Sequence, residues 1–271
     1  MKHLLASWGK VKGGLKGRSV NLFLDYDGTL TRIVRNPAEA KLSPKRQKLL
    51  REMTRLPGLK IAVISGRSLR NLRKLVPIPG LIYAGNHGLE FKLGRGTAIY
   101  PEVLSWKPLL RKLARKLERP LRPFKGIWVE NKGVTLSIHY RCLLSRRIET
   151  ARKILMAILR SRQDFSKLIV RKGKKVWEIQ PPVPWDKGHM VIWLLAQAEE
   201  LAVTPSFSIY IGDDRTDEDA FKVLKQKGLG IKVTRHPSKA SVAAYYLRSP
   251  HEVFIFLKRV KDLRERKARN P

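Results

Sequence analysis

The chain predicts an α/β protein: an open parallel sheet wrapped by helices and interrupted once by an inserted α+β unit. Three observations carry this reading. Strand and helix patterns alternate over residues 21–84 and again over 187–264. The first strand ends in two carboxylates one residue apart, Asp25-Tyr26-Asp27-Gly28-Thr29. Between the two alternating stretches the order becomes helix, hairpin, helix, hairpin, closing on the stiff run Pro181-Pro182-Val183-Pro184. Alternation of strand and helix points to a parallel sheet, and clustered hairpins and helices point to an antiparallel one. The chain therefore divides into a core of residues 1–103 and 185–271 and an insertion of residues 104–184.

Element by element, Asn21–Leu24 is a short apolar strand. Ser43–Met53 is a helix with Ser43 as N-cap and Pro44 as its first residue. Lys60–Ile64 is a second strand ending in Ser65-Gly66-Arg67, and Ser68–Leu75 is a helix that stops before Pro77. Leu81–Ala84 is a third strand, ending in Gly85-Asn86-His87-Gly88. In the insertion, Trp106–Leu117 and Arg146–Arg160 read as helices. Ile127–Glu130 and Val134–Tyr140 flank a turn at Asn131-Lys132-Gly133, and Leu168–Arg171 and Val176–Gln180 flank Gly173. The core resumes with a helix over Lys187–Ala202, a strand Ser208–Ile211 ending at Gly212-Asp213-Asp214, a helix Asp217–Gln226 and a strand Gly230–Val233. A last amphipathic helix covers Pro250–Arg264, followed by a basic tail expected to fray.

Bulk composition narrows the function classes. The 271 residues carry one cysteine, Cys142, so neither a disulfide framework nor a cysteine metal cluster is expected. The N-terminal stretch is too poor in apolar residues for a signal peptide, and no apolar run approaches a bilayer span. A soluble cytoplasmic protein is expected. The net charge is +35, from 57 Lys+Arg against 22 Asp+Glu, which favours anionic substrates and non-specific polyanion binding. The excess is spread out: residues 104–184 hold 21 Lys/Arg and 5 Asp/Glu, and no finger or basic-zipper pattern accompanies it. Against that background the acids are informative. Seven of the 22 fall in two short stretches, Asp25 and Asp27, then Asp213, Asp214, Asp217, Glu218 and Asp219. Like charges so close repel unless a cation lies between them. An all-oxygen donor set suits a hard divalent ion such as magnesium.

Four elements then converge at the carboxyl ends of one sheet, where open α/β sheets bind their ligands. They are Asp25-x-Asp27-Gly28-Thr29, the Ser65 hydroxyl, Lys187 and Gly212-Asp213-Asp214-x-x-Asp217. A carboxylate nucleophile, an acid, a hydroxyl, a cation and a carboxylate cage together describe phosphoryl transfer. Each has a plainer reading in isolation. Asp-x-Asp-Gly is a common strand exit, Ser65 could cap the following helix, and Lys187 is one lysine among many. His87 reads as a structural hydrogen-bonding residue, Glu130 and Lys132 as exposed hairpin charges, and Glu218 and Asp219 as helix N-terminal acids.

Taken together and in this order, these motifs resemble the haloacid-dehalogenase (HAD) superfamily of phosphatases. Within it the chain is similar to the trehalose-6-phosphate phosphatase family over almost its whole length. The narrower likeness rests on Gly85-Asn86-His87-Gly88-Leu89-Glu90, Val129-Glu130-Asn131-Lys132-Gly133, Ser137-Ile138-His139-Tyr140-Arg141, Trp177-Glu178-Ile179 and the stretch Gly212–Phe221. Two positions depart from the family pattern: Asp186 stands where Asn is frequent, and Gln180 where Arg is.

The resemblance implies a Rossmann-like parallel-sheet core with an inserted cap domain, and magnesium-dependent hydrolysis of trehalose 6-phosphate. It implies Asp25 as nucleophile, Asp27 as acid and then base, and Ser65 and Lys187 as phosphate holders. Magnesium would lie on Asp25, the Asp27 carbonyl and Asp213, with Asp214 and Asp217 orienting that shell. Glu130, Lys132 and Glu178 would grip the sugar as the cap closes, with Arg67, Asn86, His87 and Arg141 as further substrate contacts. A trehalose-phosphate synthase is the implied partner. Two other readings are weighed: a HAD phosphatase for sucrose phosphate or a glycosyl phosphoglycerate, and a basic nucleic-acid-binding protein with a vestigial phosphatase site.

Overall fold

A computed structural model describes residues 1–34, 36–199 and 206–269 of the chain. These residues divide into two compact units, Met1–Ala98 with Trp185–Pro271, and Ile99–Pro184.

The first unit begins with β1 (Lys2–His3), α1 (Trp8–Leu15), β2 (Ser19–Leu24), α2 (Pro44–Met53), β3 (Leu59–Ile64), α3 (Leu69–Leu75), β4 (Ile82–Gly85), β5 (Glu90–Leu93) and β6 (Gly96–Ile99). The insertion contributes α4 (Lys107–Leu121), β7 (Trp128–Asn131), β8 (Leu136–His139), α5 (Ser145–Arg160), α6 (Gln163–Ser166), β9 (Ile169–Gly173) and β10 (Val176–Gln180). The first unit then resumes with α7 (Lys187–Glu199), β11 (Ser206–Gly212), α8 (Asp217–Leu224), β12 (Gly228–Val233), β13 (Tyr245–Leu247) and α9 (Pro250–Arg269). The expected end of the α7 helix, residues 200–202, lies outside the described residues.

The first unit holds a nine-stranded sheet in the order β1-β13-β12-β11-β2-β3-β4-β5-β6. The pairs from β1 to β4 are parallel, and β5 returns antiparallel on β4. Its central strands β2, β3 and β11 are buried on both faces, so they read as continuous apolar runs. On β2, Val20, Leu22 and Leu24 enter a core shared with α1, α2, α3 and α9. Phe23 faces the other way, into a core with Met190, Val191 and Leu194 of α7 and Ala220 and Phe221 of α8. Central β2 lies between β11 and β3, with Leu24 opposite both Ile211 and Val63. That register brings the ends of three strands, and thus Asp25, Ser65 and Asp213, to one level.

The insertion is a four-stranded antiparallel sheet, β7-β8-β10-β9. Period-two alternation sorts its faces. Leu136, Ile138, Trp177 and Ile179 pack with Leu113 and Leu117 of α4, Leu155 of α5 and Phe165 of α6. The alternate residues Trp128, Glu130, Ser137, His139 and Glu178 line the other face.

Several elements escape the sequence reading. Residues 2–15 form β1 and α1, β5 and β6 extend one sheet edge, and β13 lies between β12 and β1. Helix α9 extends to Arg269, five residues past the expected end at Arg264. Ser43 stands at the N-cap of α2 but its side chain makes no capping bond. Ser68 does cap α3, accepting from Asn71 N at 3.3 Å.

Candidate active site

The Asp25 amide donates to the Ile211 carbonyl at 2.9 Å, continuing the sheet ladder one residue past β2. Its carboxylate is buried at the mouth of the sheet. Lys187, the first residue of α7, reaches it there: Nζ donates to Asp25 Oδ1 at 2.7 Å and to Asp217 Oδ1 at 2.7 Å. Asp186 precedes Lys187 and accepts from His189 N at 3.0 Å, the geometry of an N-cap. An Asp does there what an Asn would do, so this departure from the family pattern is conservative. Gln180, the other departure, is buried at the end of β10.

Asp217 is fully buried at the start of α8. It also accepts from the Tyr210 hydroxyl and the Asp214 amide, both at 2.8 Å. Burial opposes the charge of Lys187, but Asp217 and Asp25 outweigh it and hold the ammonium pKa well above the usual range. Burial also works against ionised Asp217, yet Lys187 and the two other donors hold its carboxyl below the ordinary value. Asp25 moves the other way. Burial pushes its carboxyl up, Lys187 opposes this, and Asp217 and Asp213 push it further, so the net direction is well above the ordinary value.

Oxygens of Asp25, Asp213 and Asp217 lie within 4.8 Å of one another. Gly28 makes this approach possible. It turns the chain after β2 at φ +87°, and a Cβ there would sit 1.9 Å from Asp213 Oδ2. At Gly212 a Cβ would meet Asp217 Cγ at 2.2 Å. Carboxylate oxygens in excess of the available cationic charge, packed against glycines, fit a hard divalent ion such as magnesium.

Asp27 faces a different partner. Arg67 clamps it through two bonds, Nε to Oδ2 at 2.6 Å and Nη2 to Oδ1 at 2.7 Å, and also donates to the Pro37 carbonyl at 2.8 Å. Ser65 is buried, and its hydroxyl accepts from Arg67 N at 3.2 Å. The Asn86 and His87 amides donate to the Arg67 and Ser65 carbonyls at 2.7 and 2.9 Å, tying the two loops together. Asn86 is fully buried with its side-chain amide on Glu90 at 2.9 Å, and Glu90 in turn receives the Leu69 amide at 3.1 Å. Glu218 accepts from Lys232 Nζ at 2.9 Å and Val242 N at 3.1 Å, so it fastens α8 to its neighbours. Asp214 is anchored through its backbone, its carbonyl accepting from Lys232 Nζ at 2.6 Å.

The insertion gathers a second polar set. Glu130, Ser137 and Glu178 are cross-strand partners in one row over β7, β8 and β10. Glu178 receives Lys132 Nζ at 3.2 Å and the Ser137 hydroxyl at 3.0 Å. His139 Nε2 lies 2.8 Å from Glu130 Oε2. Burial works to raise the Glu130 pKa, but the His139 bond and Lys132 outweigh it and hold the carboxyl below its ordinary value. Arg141 donates to the Lys174 carbonyl at 2.7 Å at an exposed position.

Sequence reasoning missed Tyr210, Ser137 and His139 as members of these sets. Ser137 and His139 carried a usable signal, since they alternate with buried Ile138. Tyr210 carried none, because β11 is buried on both faces.

The family model described as trehalose-phosphatase matches residues 23–251. The chain belongs to that family. The match reaches into both units and includes every residue of the two polar sets described in this subsection. Among relatives, trehalose-phosphate phosphatase B of Arabidopsis thaliana is 31% identical over 264 residues, covering 93% of this chain and 69% of its own. The trehalose-phosphate phosphatase of Mycobacterium tuberculosis is 37% identical over 258 residues, covering 93% of this chain and 64% of its own. The solved C-terminal domain of a C. albicans trehalose-6-phosphate phosphatase superposes with a TM-score of 0.80 at 25% identity, covering 97% of this chain and 99% of that domain.

Proposed function

We propose that the protein hydrolyses trehalose 6-phosphate to trehalose and inorganic phosphate, with the core unit doing the chemistry and the insertion recognising the sugar. The observation that carries this is the Asp25–Lys187–Asp217 triad beside Asp213, in a chain of the trehalose-phosphatase family.

Asp25 is the nucleophile. Its oxygen attacks phosphorus, the bond to the sugar oxygen breaks, and an aspartyl-phosphate forms. Asp27 gives a proton to the departing sugar hydroxyl and then takes one from the water that cleaves the acyl phosphate. Arg67 orients the Asp27 carboxylate through both oxygens, and one of these two bonds gives way when that oxygen carries the proton. Lys187 balances charge on Asp25 and on the phosphate oxygens, and Asp217 holds Lys187 in place. The Ser65 hydroxyl takes a phosphate oxygen. Asp25, Asp213 and the Asp27 carbonyl would hold magnesium, which supplies positive charge so that an anionic carboxylate and an anionic phosphate can approach. Asp214 would orient that shell. Glu130, Lys132 and Glu178 offer charged acceptors and a donor to sugar hydroxyls. Arg67, Asn86 and His87 shape the phosphate side, and Arg141 is a further contact from the insertion. Transfer of a glucosyl group onto a hexose 6-phosphate is one route to this substrate, so a trehalose-phosphate synthase is the proposed partner and the cytoplasm the proposed location.

A phosphate-release screen tests the assignment. With magnesium, trehalose 6-phosphate should exceed sucrose 6-phosphate, glycosyl phosphoglycerates and glucose 6-phosphate in kcat/KM. Preference for any of these rivals, or release from none, would overturn it.

A further inference from the structure

The polar face of the insertion's sheet carries an aromatic surface that the charged row leaves unexplained. Trp128 and His139 are cross-strand partners on β7 and β8. Their rings are stacked, with centroids 4.5 Å apart and planes 13° apart. The stack covers one side of the indole, and Trp128 stays 38% exposed, whereas Trp177 and Phe165 of the same unit are buried at 3% and 0%. β7 is the edge strand of its sheet, where exposed apolar side chains invite wrong pairing and charge is the usual protection. This very basic chain puts an indole there instead.

The surface is tied to the charged row beside it. His139 packs on Trp128 through its ring and bonds Glu130 through Nε2 at 2.8 Å. The Trp128/His139 row and the Glu130/Ser137/Glu178 row are two residues apart along the strands, about 7 Å. That is the scale of one sugar ring. A flat π surface next to carboxylates and an ammonium matches a pyranose, whose ring faces present C–H groups and whose rim presents hydroxyls. C–H groups pack on the negative face of an indole while the rim hydroxyls reach the charges.

We propose that Trp128, backed by His139, is a stacking platform for a pyranose ring of the substrate and sets selectivity for a disaccharide phosphate over small phosphoesters. This rests on the trehalose 6-phosphate reading above. Trp128 is a specificity residue and takes no part in phosphoryl transfer.

The test compares wild type with W128F, W128L and W128A on trehalose 6-phosphate and on p-nitrophenyl phosphate, with magnesium. Loss of the flat ring in W128A and W128L should raise KM for trehalose 6-phosphate about three- to tenfold, with kcat and the small-ester rate unchanged. W128F should recover most of the loss. Leucine keeps apolar bulk, so W128L performing as well as W128F would reduce the role to packing and overturn the platform. Parallel losses on both substrates would do the same. Titration with unphosphorylated trehalose supplies a readout free of turnover. Tryptophan fluorescence should respond in wild type and not in W128F, and equal responses would contradict the platform. A wild type inert toward trehalose 6-phosphate is a different failure, because it removes the function on which the platform rests.

Discussion

Asp25 and Asp217 are buried carboxylates on the same ammonium, yet their acidities move in opposite directions. The difference lies in donors. Asp217 has Lys187, Tyr210 and the Asp214 amide, whereas Asp25 has Lys187 with Asp213 and Asp217 crowding it. A group stripped of water, short of donors and crowded by two carboxylates suits the proposed nucleophile, which would be ionised once the proposed metal and the phosphate are bound. Asp25→Asn should therefore keep the fold by circular dichroism and lose turnover by far more than about a hundredfold; a folded variant above that level would rule out the covalent role. Gly28 makes a sharper prediction, because its turn is both left-handed and pressed against Asp213. Gly28→Ala and Asp213→Ala should both raise the magnesium concentration needed for half-maximal activity. Glu218→Ala should lower the melting temperature and leave the magnesium requirement alone, since Glu218 fastens α8 to Lys232 and Val242. If all three shifted the requirement equally, the distinction between ligand and fastener would collapse.

At the scale of elements, the positioning work is done by strand ends and by period-two alternation. In the insertion's sheet, alternation puts Glu130, Ser137, His139 and Glu178 on the face opposite Leu136, Ile138 and Trp177. This has a pH consequence. The folded pKa of Glu130 lies below its ordinary value, because the His139 bond and Lys132 together outweigh burial. Contributions from its anion are complete above the ordinary carboxylate pKa and disappear only as pH falls through the lowered folded value. His139→Gln weakens what lowers it, so the rise in KM for trehalose 6-phosphate on acidification should begin at higher pH than in wild type. An unchanged KM–pH profile would show that the His139 bond does not set the charge of Glu130.

What was legible in the sequence follows the same lines. Strands β2, β3, β4 and β11 announced themselves as apolar runs ending in Asp, Ser, Gly and Gly-Asp-Asp, and the two hairpins through Asn131-Lys132-Gly133 and Gly173. Helix α1 was hidden because Gly9, Gly13 and Gly14 are poor helix formers; it is held by burial of Val11 and Leu15. β1 and β13 were too short to show a period and exist through pairing with each other and with β12. The identities of the acidic residues were readable, but their partners were not. That Arg67 clamps Asp27 across 40 positions, or that Tyr210 bonds Asp217 from a strand buried on both sides, depends on tertiary placement that no local pattern encodes.

At the scale of the whole molecule, a chain of net charge +35 keeps a cluster of acids at the mouth of one sheet and a second set on one face of another. Among the described residues no helix is long and apolar enough to cross a membrane. In the proposed function the two units divide the labour: Asp25, Asp27, Ser65 and Lys187 would act on any phosphoester, and Glu130, Lys132 and Glu178 only where there are sugar hydroxyls to hold. A charge–hydroxyl hydrogen bond contributes on the order of 1–3 kcal/mol, or about five- to 150-fold in a specificity constant. The most direct measurement is the ratio of kcat/KM for trehalose 6-phosphate to that for p-nitrophenyl phosphate, in wild type, Glu130→Ala and Glu178→Ala. The ratio should fall by such a factor in each variant while the small-ester constant holds. Equal losses on both substrates, or an unchanged ratio, would contradict this division of labour.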